Sequence, residues 1–552
     1  MPMHIMSCFR LSKGVTNKLS SAVSNFWWSN NGQTRGIHWL AWNKLCKHKS
    51  ESGLGFRVLE DFNTALLAKQ LWRLLDSPGS LFSRVFKGRY YRNATPLDPI
   101  KSYSPSYGWQ SIVSARPLVN KGFIKRVGSG SSISVWDDPW ILASRPRSAQ
   151  GNGINYYPHL RVRDIMTPGK STWNLPLLNQ LFESTDISLI MGMPTAQRDR
   201  PNSLRWFYTK TGQYTVKSGY TLAERSREDD TRPHFGPDVC RLQAQAWKIP
   251  CTQKLQHFLW QILSGCISVG ARLRSRGIQT DPLCMRCGMA AETINHMVFE
   301  CPPVLQVWAL SPVPTAISRF PTEGLFTNVA HLFWNLPDDD RMRMYPWLIW
   351  FIWKARNDKV FSNVDWDPYE IINHAAAEAS AWASAQTRQG AVSVPLADTV
   401  DSGFMGDRCQ VDGAWKESDS RAGLGWYNFN METGEEHFGT CNLWRGISSL
   451  QTEVEVLLWA MQCMLRHNKL EMVFETDCSD VVQMVSKPEE WPVFRILLDE
   501  IDRCRRCFTS CSIMYISRTN NTKADKLARS ARALPTSVYY VNSVLPAWIP
   551  EL

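Results

Sequence analysis

The stretch QVDGAW, residues 410–415, decides the fold of the last quarter of the chain, because it sets a carboxylate, Asp412, at the edge of an apolar strand pattern. Three later stretches repeat this arrangement on a strand or a helix: QTEVEVLL at 451–458 with Glu453, FETDCSD at 474–480 with Asp477, and NNTKADKLA at 520–528 with Asp525. Burying several carboxylates together is costly, since each disfavours the charge of the next. A divalent metal ion removes that cost, so the pattern predicts a metal site.

The apolar periodicity around these carboxylates predicts three strands, a helix, a strand, two helices, a strand and a final helix. Strands are expected at 411–414, 423–429, 435–443, 473–477 and 512–516. Ser449 is expected to start the first helix, with an apolar face that includes Val454, Leu457, Leu458 and Met461. Asp525 is expected to open the last helix.

This order of elements and carboxylates resembles ribonuclease H, and the local strings resemble its plant retrotransposon-derived branch, over about Gln410–Ala533. The resemblance implies an α/β fold with a five-stranded mixed sheet flanked by helices. It implies that the four carboxylates bind two Mg²⁺ ions, with Mn²⁺ as a substitute and Asp412 bridging both. The implied reaction is hydrolysis of the RNA strand of an RNA–DNA hybrid, in which one ion activates water and the other stabilises the leaving 3′-oxygen.

Three features depart from the family pattern or compete with it. Glu455 lies two residues from Glu453, so a helix points the two side chains in different directions, and the family spacing favours Glu453. Many cellular ribonucleases H carry an assisting His before the last helix, whereas residues 516–521 contain none and offer Arg518 instead. Thr452 also replaces a residue that is usually small. A catalytically inactive, nucleic-acid-binding relic is therefore the alternative function.

A second cluster has the spacing of zinc ligands. Cys284-x2-Cys287-x8-His296-x4-Cys301 offers three thiolates and one imidazole within eighteen residues. This set completes a tetrahedral zinc site and leaves no position for water, so the spacing predicts a structural Zn²⁺. The alternative is a chance grouping among the 15 cysteines of the chain.

Charge is distributed unevenly along the 552 residues. The net charge is +12, but residues 408–535 carry 16 basic and 18 acidic side chains, which leaves +14 for the rest of the chain. The excess predicts that upstream regions attract a polyanion such as an RNA–DNA hybrid, with single-stranded RNA as a second candidate partner; solubility is the alternative reason. The residues from Met1 to Gly14 lack the apolar core of a secretory leader, and the longest apolar run is too short to span a bilayer. We expect an intracellular protein that binds no membrane.

Upstream of the zinc cluster, four stretches resemble the segments that join polymerase and zinc domain in plant non-LTR retrotransposons: HWLAW at 38–42, GLGF at 53–56, ALLAKQLWR at 65–73 and GQYTVKSGY at 212–220. WKIP at 247–250 and KLQHFLW at 254–260 resemble that zinc domain itself. A polymerase domain is expected to be absent, since Asp137-Asp138 is followed by Pro139, which ill suits a catalytic hairpin. Residues 123–127 and 133–136 are expected to pair as a hairpin around Gly128–Gly130.

The chain is therefore expected to be multidomain, with an α-rich N-terminal half. The expected parts are a connecting region at 1–200, a reverse-transcriptase zinc-binding domain at 201–312, a helical connector at 313–388, a linker at 389–409, a ribonuclease H type-1-like domain at 410–535 and a tail at 536–552. The expected activity is a hybrid-specific ribonuclease with zinc-dependent nucleic-acid binding upstream. A third hypothesis is a protein-interaction scaffold that uses the Trp-rich helices.

Overall fold

The computed structural model describes most of the chain. The described residues are 3–29, 36–99, 104–153, 157–167, 172–195, 200–228, 239–313, 320–322, 324–337, 339–390 and 406–549. They form two compact units. Unit 1 comprises Met1–Arg10, Asn63–Asp229 and Leu396–Leu552, and unit 2 comprises Leu11–Phe62 and Asp230–Pro395. Most of the linker expected at 389–409 lies outside the described residues.

Helices dominate the chain upstream of residue 406. In chain order the helices are α1 (Met3–Cys8), α2 (Lys13–Trp28), α3 (Trp42–Cys46), α4 (Leu59–Asp76), α5 (Leu81–Tyr90), α6 (Tyr107–Val113), α7 (Arg116–Gly122), α8 (Leu175–Leu181), α9 (Ser184–Met191), α10 (Val216–Glu228), α11 (Val239–Ala246), α12 (Gln253–Ser264), α13 (Gly270–Arg274), α14 (Pro302–Leu310), α15 (Leu325–Trp334), α16 (Tyr345–Ser362), α17 (Pro368–Gly390), α18 (Ser449–Arg466), α19 (Ser479–Ser486), α20 (Arg495–Arg505) and α21 (Thr522–Ala533). Within the described residues, none of these helices is long and apolar enough to cross a membrane.

The described residues form ten strands, which pair into three sheets. The strands are β1 (Phe123–Arg126), β2 (Ile141–Leu142), β3 (Pro146–Arg147), β4 (Ser203–Trp206), β5 (Asp407–Ala414), β6 (Arg421–Asn430), β7 (Glu436–Trp444), β8 (Glu471–Thr476), β9 (Ser510–Tyr515) and β10 (Tyr539–Asn542). The large sheet has the order β10-β7-β6-β5-β8-β9, and β1 pairs with β4 and β2 with β3 in two small sheets. In the large sheet β5, β8 and β9 run parallel, whereas β6, β7 and β10 pair antiparallel.

The large sheet has six strands, so the expected count of five was wrong. The sixth strand, β10, lies in the segment expected to be a tail, and it pairs with the edge strand β7. Buried Asn442 of β7 holds this segment in place. Its amide donates to the carbonyl of Thr536 at 2.8 Å and accepts from the amide N of Val538 at 3.0 Å. Because β10 is short and half-exposed, its sequence carries no clear burial pattern.

The sheet packs helices on both faces, as expected for the C-terminal domain. On one face α18, α19 and α20 enclose a core that includes Val411, Trp426, Phe474 and Leu457. The expected apolar face of α18 is confirmed, since Val454, Leu457 and Met461 are fully buried. On the other face α21 lies directly against β6. A Cβ at Gly425 would stand 2.4 Å from the amide N of Ala528, so only glycine permits this approach.

The connecting region of unit 1 forms two further cores, one under α4–α7 and α10 and one around β2, α8 and α9. The expected hairpin within 123–136 was wrong: β1 pairs with β4, some eighty residues later, through Phe123 opposite Trp206. The Gly128–Gly130 turn is instead held by Asn202, whose Oδ1 accepts from the amide N of Gly128 at 2.9 Å. Ile133 and Val135 are buried in the second core. The local alternation therefore predicted strand β1, but it could not identify β4, which is distant in sequence, as the partner strand.

The described residues of unit 2 form helices and loops around a common core. Buried side chains of α11, α12, α14, α16 and α17 pack together with Leu45 and with the cysteines of the expected zinc cluster. A buried ion pair joins the loop before His296 to α16, because Arg356 donates to Glu292 with an Nε–Oε1 distance of 2.6 Å. This α-rich architecture agrees with the expectation for the zinc-binding part of the chain.

Candidate metal centre and nucleic-acid cleft

Parallel pairing of β5 with β8 brings two of the predicted carboxylates together. Val411 of β5 lies opposite Thr476, the last residue of β8, so Asp412, still within β5, and Asp477, just after β8, lie side by side where the parallel pairing ends. Glu453 comes from the second turn of α18, which lies close against β5. A Cβ at Gly413 would stand 3.0 Å from the amide N of Glu453, so this glycine lets the helix approach the strand.

The three side chains form one compact cluster. Carboxylate oxygens of Asp412, Glu453 and Asp477, one from each residue, lie within 4.8 Å of one another. Asp412 is only 6% exposed. Oε2 of Glu453 is enclosed by protein and has no hydrogen-bond partner in the described part of the chain. An enclosed carboxylate oxygen without a partner, beside two more carboxylates, is an arrangement that a divalent cation would stabilise.

Asp525 of α21 lies in the same cleft but outside this three-residue cluster. Its Oδ1 accepts from Nε of Arg529 at 2.9 Å, and Nη2 of Arg518 stands 4.0 Å away. The structure therefore brings three of the four predicted residues together. The fourth, Asp525, lies beside Arg518 and Arg529 at the rim of the cleft.

The electrostatics of the cluster reflect burial and mutual repulsion. Burial, together with the charges of Asp477 and Asp525, raises the pKa of Asp412 to about 7. Burial, with Asp412 and Asp477, raises the pKa of Glu453 well above its usual range, although the amide of Gly413 donates to its carboxylate. Both carboxyl groups thus resist ionisation in the metal-free protein. A bound divalent ion reverses that preference.

Glu455, the competing glutamate, points elsewhere on α18. Its Oε1 accepts from Nε2 of Gln451 at 2.6 Å, and burial raises its pKa to about 7. It does not belong to the carboxylate cluster. The loop before α21 places Arg518 at the cleft, in the region where many cellular ribonucleases H carry an assisting His.

The predicted zinc ligands also converge, within unit 2. The Sγ atoms of Cys284 and Cys301 are 3.8 Å apart, and Sγ of Cys287 is 3.4 Å from Nε2 of His296. All four ligand atoms lie within 4.8 Å of one another. Tetrahedral zinc with its usual bond lengths requires an S–S separation of about 3.8 Å and an S–N separation of about 3.6 Å. The donor set and its spacing fit Zn²⁺, whereas the all-oxygen set in unit 1 fits Mg²⁺ or Mn²⁺.

Comparisons with known proteins agree with this division. The family model described as zinc-binding in reverse transcriptase matches residues 214–308, and the one described as reverse transcriptase-like matches residues 410–531. The "Uncharacterized mitochondrial protein AtMg00310" of Arabidopsis thaliana is 44% identical over 147 residues, which cover 96% of that relative and 26% of this chain. The chain belongs to the plant retrotransposon-derived family with these two domains.

A second plant relative extends beyond the part that this chain matches. The "Putative ribonuclease H protein At1g65750" of Arabidopsis thaliana is 27% identical over 378 residues, which cover 65% of this chain and 58% of that relative. Among solved structures, ribonuclease H1 from Halobacterium salinarum is 20% identical, with a TM-score of 0.21, and the match covers 23% of this chain and 96% of that one. LC11 ribonuclease H1 in complex with an RNA/DNA hybrid is 18% identical, with a TM-score of 0.21.

The sequence alone did not identify the basic side chains of this family member's cleft. The cleft measures about 850 Å³ and is lined by five carboxylates, the four predicted ones and Asp480, and by six cations from two regions. Arg518, Arg529 and Arg532 come from the C-terminal domain, and Arg126, Arg205 and Lys210 come from the connecting region. The uneven charge distribution indicated that upstream segments contribute cations, but it could not indicate which ones, because strand β4 follows β1 at a long sequence separation.

The raised pKa of Asp412 gives a testable pH dependence. In metal-free buffer we expect the melting temperature of Asp412→Asn to exceed that of the wild type by a margin that grows as the pH rises from about 4 to about 7. A raised pKa means that the folded state binds the proton more tightly than the unfolded state, so deprotonation over this range destabilises the fold. The asparagine cannot deprotonate. A margin that stays constant with pH would contradict the burial described above.

Proposed function

We propose that this protein hydrolyses the RNA strand of RNA–DNA hybrids with two divalent ions, Mg²⁺ or Mn²⁺, held by Asp412, Glu453, Asp477 and Asp525. The observation that carries the proposal is the three-carboxylate cluster, in which an enclosed oxygen of Glu453 has no partner in the described chain. Oε2 of Glu455 is likewise enclosed and unpaired, so the convergence of three carboxylates, and not the unpaired oxygen alone, distinguishes this site.

The residues of the cleft have separable roles in this reaction. Divalent ions bound there supply charge neutralisation for the scissile phosphate and a lowered pKa for the attacking water. Asp412, Glu453 and Asp477 fix the position of that chemistry, because each is anchored on a different element of the sheet or of α18. Arg518 and Arg529 hold Asp525 at the rim and bring positive charge to a cleft that must accept a polyanion.

Support for a hybrid as the substrate comes from the family. The C-terminal domain matches the reverse transcriptase-like model, and a relative carries the name of a ribonuclease H. A 2′-hydroxyl distinguishes the RNA strand from the DNA strand at a given site. For unit 2, we propose that a structural Zn²⁺ bound by Cys284, Cys287, His296 and Cys301 holds a nucleic-acid-binding domain together.

The alternative is a relic that binds nucleic acid without turnover, and one observation favours it. The loop at 516–521 contains no histidine, and Arg518, which cannot exchange a proton near neutral pH, takes the position at the cleft. Incubation of the full-length chain with an RNA–DNA hybrid and with duplex DNA of the same sequence separates the two functions. Cleavage confined to the RNA strand supports the ribonuclease, and salt-dependent binding without cleavage supports the relic.

A further inference from the structure

The cleft at the carboxylate cluster continues onto the connecting region of unit 1. Its lining includes Arg126 at the end of β1, Arg205 in β4 and Lys210 just after β4. The pairing of β1 with β4 sets the first two on neighbouring strands, since Arg205 lies opposite Ile124 and Arg126 lies opposite Ser203. Two guanidinium groups therefore share one wall of the cleft.

Polar contacts tie this wall to the C-terminal domain. Nη2 of Arg126 donates to the carbonyl O of Val493 at 3.4 Å, and Nζ of Lys210 donates to Oδ2 of Asp480 at 2.8 Å. Further along the same contact, Nε2 of Gln451 on α18 donates to the carbonyl O of Gly192 at 3.0 Å. The two arginines are thus held at a fixed position relative to the helix that carries Glu453.

The arginine pair makes no direct ion pair with a described carboxylate. Burial lowers the pKa of Arg205, and the charge of Asp76, which lies beyond salt-bridge distance, partly offsets that effect. Neither Arg126 nor Arg205 has a salt bridge within 4.0 Å to a described Asp or Glu, unlike Lys210, which pairs with Asp480. Nε of Arg205 is enclosed and has no hydrogen-bond acceptor among the described residues. Burial, with the charge of Arg205, lowers the pKa of Arg126 to about 10. Two half-buried cations that repel each other are stabilised when an anion binds between them.

We propose that Arg126 and Arg205 bind a backbone phosphate of the nucleic acid whose scissile bond lies at the carboxylate cluster. A guanidinium presents paired N–H donors that match phosphate oxygens, and it stays charged even when partly buried. A phosphate suits the position, because the carboxylates repel the polyanion and cations along the same cleft offset that repulsion. The connecting region thereby becomes part of the substrate site. This inference rests on the proposed function, since it names a second contact for the same substrate.

The test is hybrid binding without turnover. A fluorescein-labelled RNA–DNA hybrid is titrated with full-length Asp477→Asn and with the same protein carrying Arg205→Gln, over a series of salt concentrations. We expect Arg205→Gln to weaken binding about tenfold, as for loss of a charged hydrogen bond. We expect it also to lower the slope of log K against log salt by about 1, because one phosphate contact is lost. The loss should be the same for hybrids of different sequence, since a phosphate carries no base identity.

Matched control variants show whether a change in hybrid affinity comes from loss of the phosphate contact. Arg163→Gln removes an exposed charge of the connecting region outside the cleft and should leave affinity and slope unaltered. Arg205→Lys keeps the charge and should retain the slope. If Arg205→Gln fails to fold, judged by its melting temperature, Arg126→Gln replaces it.

Unaltered affinity and slope in the folded glutamine variant would overturn the phosphate contact. Cleavage by the wild-type chain would still stand in that case, so the proposed function would survive. A parent protein that binds no hybrid and a wild type that cleaves none would overturn both.

Discussion

Glu453→Gln is expected to abolish hybrid cleavage, whereas Glu455→Gln, two residues along the same helix, is expected to retain it. Glu453 contributes an oxygen to the three-carboxylate cluster, while Glu455 bonds to Gln451 away from it. Loss of one ligand that stabilises developing charge costs about 4 kcal/mol, which corresponds to a rate lower by about a thousandfold. The measurement is the initial cleavage rate of an end-labelled hybrid in Mg²⁺ for the wild type and both variants.

The stability of the two variants provides a control within the same experiment. Without metal, both should melt no lower than the wild type, because each replaces a carboxyl group whose ionisation burial disfavours. Low activity of Glu453→Gln therefore cannot come from unfolding. Equal losses of activity in the two variants would contradict the assignment of Glu453, and greater loss in Glu455→Gln would transfer the role to that residue.

Cys284→Ala is expected to release the zinc of unit 2 and to unfold the segment around it. Structural zinc sites contribute about 10 kcal/mol or more to folding, which is as large as the net stability of a typical domain. Metal analysis of the purified chain should find one zinc per molecule in the wild type and none in the variant. Limited proteolysis should then cut within residues 239–313, which are compact in the wild type.

Cys266→Ala is the matched control for the zinc prediction. Cys266 is buried in the same core as Cys284, at 5% exposure, but it lies outside the four-residue ligand group. Its replacement should keep the zinc and the resistance to protease. Full zinc content in Cys284→Ala, or equal loss in both variants, would show that the convergence of Cys284, Cys287, His296 and Cys301 does not reflect a metal site.

Local sequence signals predicted the two clusters well, because each ligand follows from its own element. Asp412 lies near the end of one strand, Asp477 directly follows another and Glu453 lies on a periodic helix, so knowing the element order was enough to place them together. The zinc ligands lie within eighteen residues, where spacing alone limits the geometry. Identifying Glu453 rather than Glu455 depended on family spacing, and the structure places only Glu453 in the cluster.

Structural features that depend on pairing between residues far apart in the sequence could not be predicted from local patterns. β1 was expected to pair within a local hairpin but pairs with β4. Trp206 of β4 packs against Gly122, and the residues that directly follow β1 offer no equivalent contact. β10 was missed because it is short and half-exposed, and because Asn442, on another strand, holds the segment just before it. The cations Arg126 and Arg205 reach the cleft only through that β1–β4 pairing, so composition could indicate a basic upstream region but not its position.

The most direct test of the central claim is cleavage of an RNA–DNA hybrid, labelled separately on each strand, by the purified full-length chain with and without Mg²⁺. We expect Mg²⁺-dependent cuts in the RNA strand only, and we expect Asp477→Asn, which changes a cluster carboxylate to a neutral amide, to eliminate them. Absence of cleavage by the folded wild type, or unaltered cleavage by Asp477→Asn, would contradict the claim that Asp412, Glu453 and Asp477 form a metal-dependent nuclease centre.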